Sequence, residues 1–332
     1  MPVVLVRRKH LKNVPKEERL SNKNMNKKLR ADILLILITM IWGASFPLMK
    51  IVLAYIPAYA YLTLRFLLAG IVLAVVFHRR LARLSWRALL YGCIIGLFMF
   101  GGMAFQVVGL YTTTASNSGF ITGLNVVIVP MIAAVLLKKK PDRASLIGVL
   151  MAFAGLFFLS GGLSFSFNSG DFLTFLCAIC WALQIIAIDK FTESEDPVVL
   201  AVIQLFFVGI ASSAFWMIAD VGKPLIINKT VIFILLFTAM LGSALGFGGQ
   251  TIAQKYTTPA HTALIFTAEP VFAAIFAMVI PNAEGVTEMP SLIKAVGCLL
   301  ILSGMLISEM KLGQKKPDSN VTASIGVEQR LN

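Results

Sequence analysis

Two side chains carry full charge deep inside the long apolar stretches of this chain, Arg65 in YLTLRFLLAG and Glu269 in ALIFTAEPVFAAIFA. An acid at the centre of about twenty apolar residues costs roughly 2.5 to 3.5 kcal/mol on membrane-insertion scales, and such groups normally face a cavity or a partner rather than lipid. Pro270 follows at once. Lacking an N–H, it opens the backbone at a depth where open backbone is tolerated only against protein or a water-filled cavity. The chemistry available to such a pair is recognition and proton transfer. A guanidinium offers a planar fork of donors that matches a carboxylate or phosphate, and a carboxyl facing a cavity takes up a proton or holds an ammonium. The alternative is structural: the two neutralise each other, or each satisfies backbone groups freed beside Pro270 or at a helix end.

Uncharged groups within the apolar stretches extend the set. Trp42 and Trp181 fall in mid-stretch rather than at the interfacial level where Trp is common. There they either line a cavity, stacking on an apolar or cationic ligand, or pack between helices. Asn125, Gln184, Gln204, Gln250 and Gln254 can hydrogen-bond between helices or face a pathway. Cys93, Cys177, Cys180 and Cys298 all lie in apolar runs; the CAIC spacing has no second Cys or His pair to complete a zinc site, so packing is the expected role. No cofactor-binding motif and no metal-ligand cluster is expected.

The elements that must position these groups are membrane-spanning helices. Of 332 residues, 58% are hydrophobic and only 14% charged, and the mean hydropathy is +0.85. That composition belongs to a multi-pass protein in a lipid bilayer. The net charge of +13 does not point to nucleic acid, because the basic residues sit in tails and short loops without an aromatic-rich basic surface. Apolar runs between turn and charge signals place ten spans, near 33–53, 59–77, 89–110, 115–137, 145–163, 172–189, 198–219, 231–253, 260–280 and 292–309. Residues 1–30 form a basic tail with no apolar core of signal-peptide length, read as disordered and cytoplasmic, and 310–332 form a polar tail. Most of the 29 basic residues fall in the tails and on alternate loops, including Arg79, Arg80, Arg83 and Arg87. By the positive-inside rule both termini are cytoplasmic, in a cytoplasmic membrane.

The two halves repeat. DILLILITMIWG (32–43) aligns on DFLTFLCAICWA (171–182), which matches Asp32 with Asp171, Trp42 with Trp181, Arg65 with Gln204 and Gly70 with Gly209. YTTTASNSGFIT (111–122) aligns on YTTPAHTALIFT (256–267), and Gly148 and Gly155 align on Gly297 and Gly304. The repeat units are 31–165 and 170–309, five spans each. An odd unit enters the membrane from the opposite side in its second copy, so the halves are inverted, a geometry that offers two similar arrangements open to either face. Gln204, as the counterpart of Arg65, is the first of the amides expected to meet a solute.

IWGASFPLMK (41–50), Arg65 in YLTLRFLLAG, SGFITGLNVVIVPMIAAVLL (118–137), GDFLTFLCAICWALQ (170–184) and ALIFTAEPVFAAIFA (263–277), in order and duplicated, resemble the EamA family of the drug/metabolite transporter superfamily. The resemblance implies an all-α membrane protein of ten transmembrane helices in two inverted five-helix repeats, moving a small metabolite or drug-like solute. The loop IPNAEGVTEMP (280–290) departs from the family's usual Gly-Glu order, so no role is carried to Glu284. The expectation is a secondary active transporter, with proton or ion coupling through Glu269 and with Arg65, Glu269, Trp42, Trp181, Gln204 and Asn125 as the residues that meet solute or coupling ion. An amino acid or related compound is the expected solute class and export the expected direction. A lipid-modifying enzyme would need converging acids, histidines or metal ligands, and His10, His78 and His261 are scattered. A receptor or scaffold without flux would carry a soluble domain or a long signalling loop, and neither is expected here.

Overall fold

The computed structural model describes residues 16–82, 84–113, 118, 121–136, 143–159, 168–280 and 291–309; among them every regular element is a helix. The principal helices are α1 (Lys16–Val52), α2 (Ala58–Val76), α3 (Trp86–Gly109), α4 (Asn125–Leu136), α5 (Arg143–Leu159), α6 (Ser169–Phe191), α7 (Pro197–Ala219), α8 (Lys229–Phe237), α9 (Gly246–Gln254), α10 (Pro259–Phe266), α11 (Glu269–Ala277) and α12 (Leu292–Glu309). A π-helical segment, Thr238–Leu245, joins α8 to α9.

Polar side chains set where several helices begin. Ser85 accepts from Ala88 N at the start of α3, Asn168 and Asp171 form a capping box on α6, and Asp196 accepts from Val198 N beside Pro197 on α7. Asn228 and Thr258 do the same for α8 and α10. Each satisfies an N–H that the first turn leaves open, and losing such a cap typically costs about 1 kcal/mol.

Among the described residues six helices are long and apolar enough to cross a membrane: Lys27–Met49, Ala58–Val76, Trp86–Gly109, Ser169–Phe191, Pro197–Ala219 and Lys229–Gln254. They match six of the ten expected spans. Three shorter apolar helices, Ile121–Leu136, Arg143–Phe158 and Ala295–Ile307, overlap three others. The remaining expected span, 260–280, is split in two: α10 stops at Phe266, the chain turns through Thr267 and Ala268, and α11 restarts at Glu269 with Pro270 in its first turn. Proline suits a first turn, where its missing N–H has no partner to lose. A turn at Leu124 precedes α4 in the same way.

Residues 16–30, expected as part of a disordered tail, instead extend α1 as continuous helix. The stretch KEERLSNKNMNKKLR contains no Gly or Pro after Pro15 and is rich in helix-forming Lys, Glu, Arg and Leu. Residues 1–15, the Lys run at 138–140, the loop around Glu284 and the tail from 310 lie outside the described residues.

Glycine lets the helices approach closely at two crossings. On α2 and α7, a Cβ at Gly70 would meet the Phe206 ring at 3.3 Å and one at Gly209 would meet Leu67 Cδ2 at 2.6 Å. On α5 and α12, a Cβ at Gly155 would lie 2.6 Å from Gly297 O, and one at Gly304 would lie 2.6 Å from Gly148 O. In both crossings the partner numbers run in opposite directions, so the paired helices are antiparallel. The main apolar core lies between α1, α2, α6 and the α8–α10 region and includes Leu35, Ile38, Tyr61, Phe66, Ile185 and Phe247.

A central cavity as candidate functional site

The interior of the bundle holds a cavity of about 60 Å³ lined by Trp42, Ser45, Phe46, Met49, Arg65, Met103, Gln106, Thr122, Asn125, Trp181, Gln184, Ile185, Phe247, Gln250, Phe266 and Glu269. Room of this size admits a few water-sized groups. Five of the six residues singled out from the sequence, Trp42, Arg65, Asn125, Trp181 and Glu269, face this one space although they are far apart in the chain. The sixth, Gln204, is fully buried and is not among the lining residues. It sits behind the wall, accepting from Gln184 Nε2 at 3.3 Å and donating to Thr251 Oγ1 at 2.8 Å.

Arg65 comes from the middle of α2 and is held on several sides. Its Nε donates to Ser243 Oγ at 2.7 Å, and its Nη1 donates to Tyr61 Oη, one turn earlier, at 3.4 Å. Its guanidinium carbon lies 5.2 Å from the Phe66 ring centroid and 5.8 Å from that of Tyr61, within cation–π range. Ser243 lies in the π-helical segment, where the widened turn carries it and Gly242 toward α1 and α2. Gly242 leaves room there, since a Cβ would sit 3.1 Å from Arg65 Nη2, and its carbonyl accepts from Trp42 Nε1 at 2.8 Å. One short segment thus anchors both Arg65 and Trp42.

Glu269 opens α11, where its acid stands at a helix N-terminus whose positive end favours an anion. The backbone there is pressed against α1: a Cβ at Gly43 would lie 3.0 Å from Glu269 O and 2.7 Å from Phe272 Cβ. Among the described residues no ion pair joins Glu269 to Arg65.

Aromatic rings build one wall. Phe247 stands between the two counterpart tryptophans, 4.9 Å from Trp42 and stacked on Trp181 at 5.8 Å with planes 5° apart; Phe266 meets Trp42 edge-on at 5.0 Å. Glycines seat both indoles. A Cβ at Gly246 would strike Trp42 Nε1 at 2.6 Å, and one at Gly102 would lie 3.0 Å from Trp181. Phe247 and Ser243 are not distinguishable in the sequence from other residues of a span. The four cysteines are free thiols, and Cys177 is buried 3.9 Å from Thr122 Oγ1.

The wall as a whole can accept an anion at Arg65, a cation or proton at Glu269 and a flat or apolar body against Trp42, Phe247 and Trp181. Comparisons with known proteins agree with a membrane carrier built in two similar halves. The model of the EamA-like transporter family matches residues 29–161 and again 168–310. An uncharacterized transporter of Archaeoglobus fulgidus is 34% identical over 286 residues, covering 86% of this chain and 88% of that protein. The uncharacterized transporter YyaM of Bacillus subtilis is 25% identical over 300 residues, covering 84% of this chain and 93% of its own. A solved crystal structure shares the fold with a TM-score of 0.70 at 20% identity, over 85% of this chain and 96% of that one. The chain belongs to the EamA-like transporter family and is a multi-pass membrane protein with the role of a transporter rather than an enzyme.

Proposed function

We propose that this protein is a secondary active transporter that exports a small zwitterionic or amphipathic solute, an amino acid or related compound, across the cytoplasmic membrane by alternating access. The observation that carries the reading is the convergence of Arg65, Glu269, Trp42, Trp181 and Asn125 on one cavity at interrupted helices. Broken spans that offer helix ends to a mid-membrane cavity are the usual construction of a solute site in such carriers. Arg65 takes the carboxylate or phosphate of the solute, Glu269 takes a proton or the solute's ammonium, and the paired indoles hold its body.

Ten spans in two inverted units, 31–165 and 170–309, with both termini cytoplasmic, complete the proposal. Two features support it. The breaks at Leu124 and at Thr267–Ala268 fall at nearly the same place in the two halves once Thr122 is aligned on Thr267. The two glycine crossings join counterpart helices reciprocally, Gly70 with Phe206 and Leu67 with Gly209, then Gly148 with Gly304 and Gly155 with Gly297, as a two-fold axis between them requires.

Counterflow in liposomes tests the reading. The purified protein should exchange labelled zwitterionic metabolites across the bilayer, and Arg65→Ala should abolish exchange of those that carry a carboxylate. Lack of flux for every compound in a well-folded preparation would contradict it.

A further inference from the structure

The buried glutamines of α6, α7 and α9 form a hydrogen-bonded chain whose direction is fixed at both ends, and that direction leaves one acceptor over. At one end Thr251 Oγ1 donates to Phe247 O at 2.7 Å, so its oxygen accepts from Gln204 Nε2 at 2.8 Å. Gln204 then turns its Oε1 to Gln184 Nε2 at 3.3 Å, and Gln184 in turn accepts from Gln250 Nε2 at 3.0 Å. At the other end Gln254 Nε2 donates to Ile185 O at 3.2 Å, which leaves Gln254 Oε1 to accept from Gln250 Nε2 at 3.0 Å. Both hydrogens of the Gln250 amide are therefore taken. Exchanging its oxygen and nitrogen would set oxygen against two oxygens, so the orientation is determined by the network.

Gln250 Oε1 is what remains. Gln250 is 1% exposed, and this oxygen accepts no hydrogen bond from the protein. Among the described residues Ser118, Ser212, Thr257 and Thr262 also bury a side-chain oxygen without a partner, but of the five only Gln250 lines the central cavity. A buried, fixed acceptor without a donor is unfavourable, and native structures generally supply one.

We propose that Gln250 is a third recognition point of the solute site, its Oε1 accepting a hydrogen bond from an N–H or O–H group of the transported solute. Gln184, Gln204, Thr251 and Gln254 are positioning residues that fix the amide so that its oxygen is the atom left without a protein partner. The inference rests on the reading of the cavity as the solute site and narrows it: beyond the charged group bound at Arg65 or Glu269, the solute carries a hydrogen-bond donor. A neutral acceptor selects for that donor without asking for charge.

Matched probes that differ by loss of the donor test this. Binding to the purified full-length protein is measured for serine against O-methylserine, and for phenethylamine against its N,N,N-trimethyl form. The wild type should favour the donor-bearing member of at least one pair on the order of tenfold. Gln250→Met should bring that ratio near one while the methylated member binds as before. Gln254→Met, which lies outside the cavity wall and leaves the Gln250 amide free to rotate, should lower the ratio as well, and it stands in where Gln250→Met fails to fold. A ratio unchanged in these variants overturns the role of Gln250 and leaves the solute-site reading intact. Absence of binding by every probe to the wild type overturns both.

Discussion

Arg65 and Glu269 line the same cavity without forming an ion pair; the guanidinium is tied to Ser243 and Tyr61 instead. Mutual neutralisation, the bland account of two charges in a membrane, would bring them into contact. Held apart, each keeps capacity for another partner, at a cost that a purely structural pair would not carry.

Replacement of Arg65 by Lys tests the importance of the fork. An ammonium keeps the charge but cannot reproduce the Nε bond to Ser243 together with a second planar donor set. Arg65→Lys should lower transport of a carboxylate-bearing solute by about tenfold, the equivalent of one charge-assisted hydrogen bond. Ser243→Ala, which frees the guanidinium without removing it, should cost less, and quantified flux in liposomes of matched protein content checks both.

Gly246 and Gly102 predict an order of severity. A Cβ at Gly246 would sit 2.6 Å from Trp42 Nε1, against 3.0 Å between Gly102 and Trp181. Gly246→Ala must push the Trp42 ring off its bond to Gly242 O, whereas Gly102→Ala needs a shift of a few tenths of an ångström. The first should destabilise by roughly 1 to 3 kcal/mol and the second by less, read as thermal unfolding in detergent.

The crossing of α5 and α12 is less forgiving. At Gly155 and Gly304 the nearest obstructing atom is a backbone carbonyl oxygen, which no rotamer change can remove. Gly155→Val or Gly304→Val should lower the unfolding temperature more than Gly222→Ala. Gly222, at φ 77° with nothing within 4 Å of a Cβ, carries only the left-handed backbone cost of about 1 to 2 kcal/mol.

Much of this site was legible because membrane burial makes polar residues conspicuous. Arg65, Glu269 and Asn125 announce themselves by cost, and Trp42 and Trp181 by their places in the repeat. The break at Pro270 follows from its missing N–H. Gln204 shows the limit: equivalence with Arg65 fixes its depth but not the direction of its side chain, and α7 turns that position toward Gln184 and Thr251. The π-helical turn that carries Ser243 has no signature of its own in TAMLGSAL (238–245), since a widened turn is set by what packs beside it. Phe247 was hidden for the opposite reason, as one of 24 phenylalanines in an apolar chain.

At one edge of the bundle Asp220 links two helix ends, accepting from Tyr59 N in the first turn of α2 at 3.0 Å and from Lys223 Nζ at 2.7 Å. The carboxylate raises the Lys223 pKa above its ordinary 10.5, first by the hydrogen bond and then by charge. A raised folded-state pKa means that the clip contributes stability below about pH 10.5 and loses it as pH rises through the folded-state value. Stability should therefore be insensitive to this pair from neutral pH to about pH 10 and decline above it. Asp220→Asn should remove the alkaline decline, as unfolding midpoints across pH would report.

The central claim is that Glu269 couples solute movement to protons across one cavity shared with Arg65. Its most direct test is flux into liposomes with a pH gradient imposed and then collapsed, comparing wild type with Glu269→Gln, a neutral isostere that keeps the helix start at α11. The account predicts gradient-driven accumulation in the wild type that disappears in Glu269→Gln while the variant remains folded in the membrane. Undiminished gradient-driven flux through Glu269→Gln would contradict it.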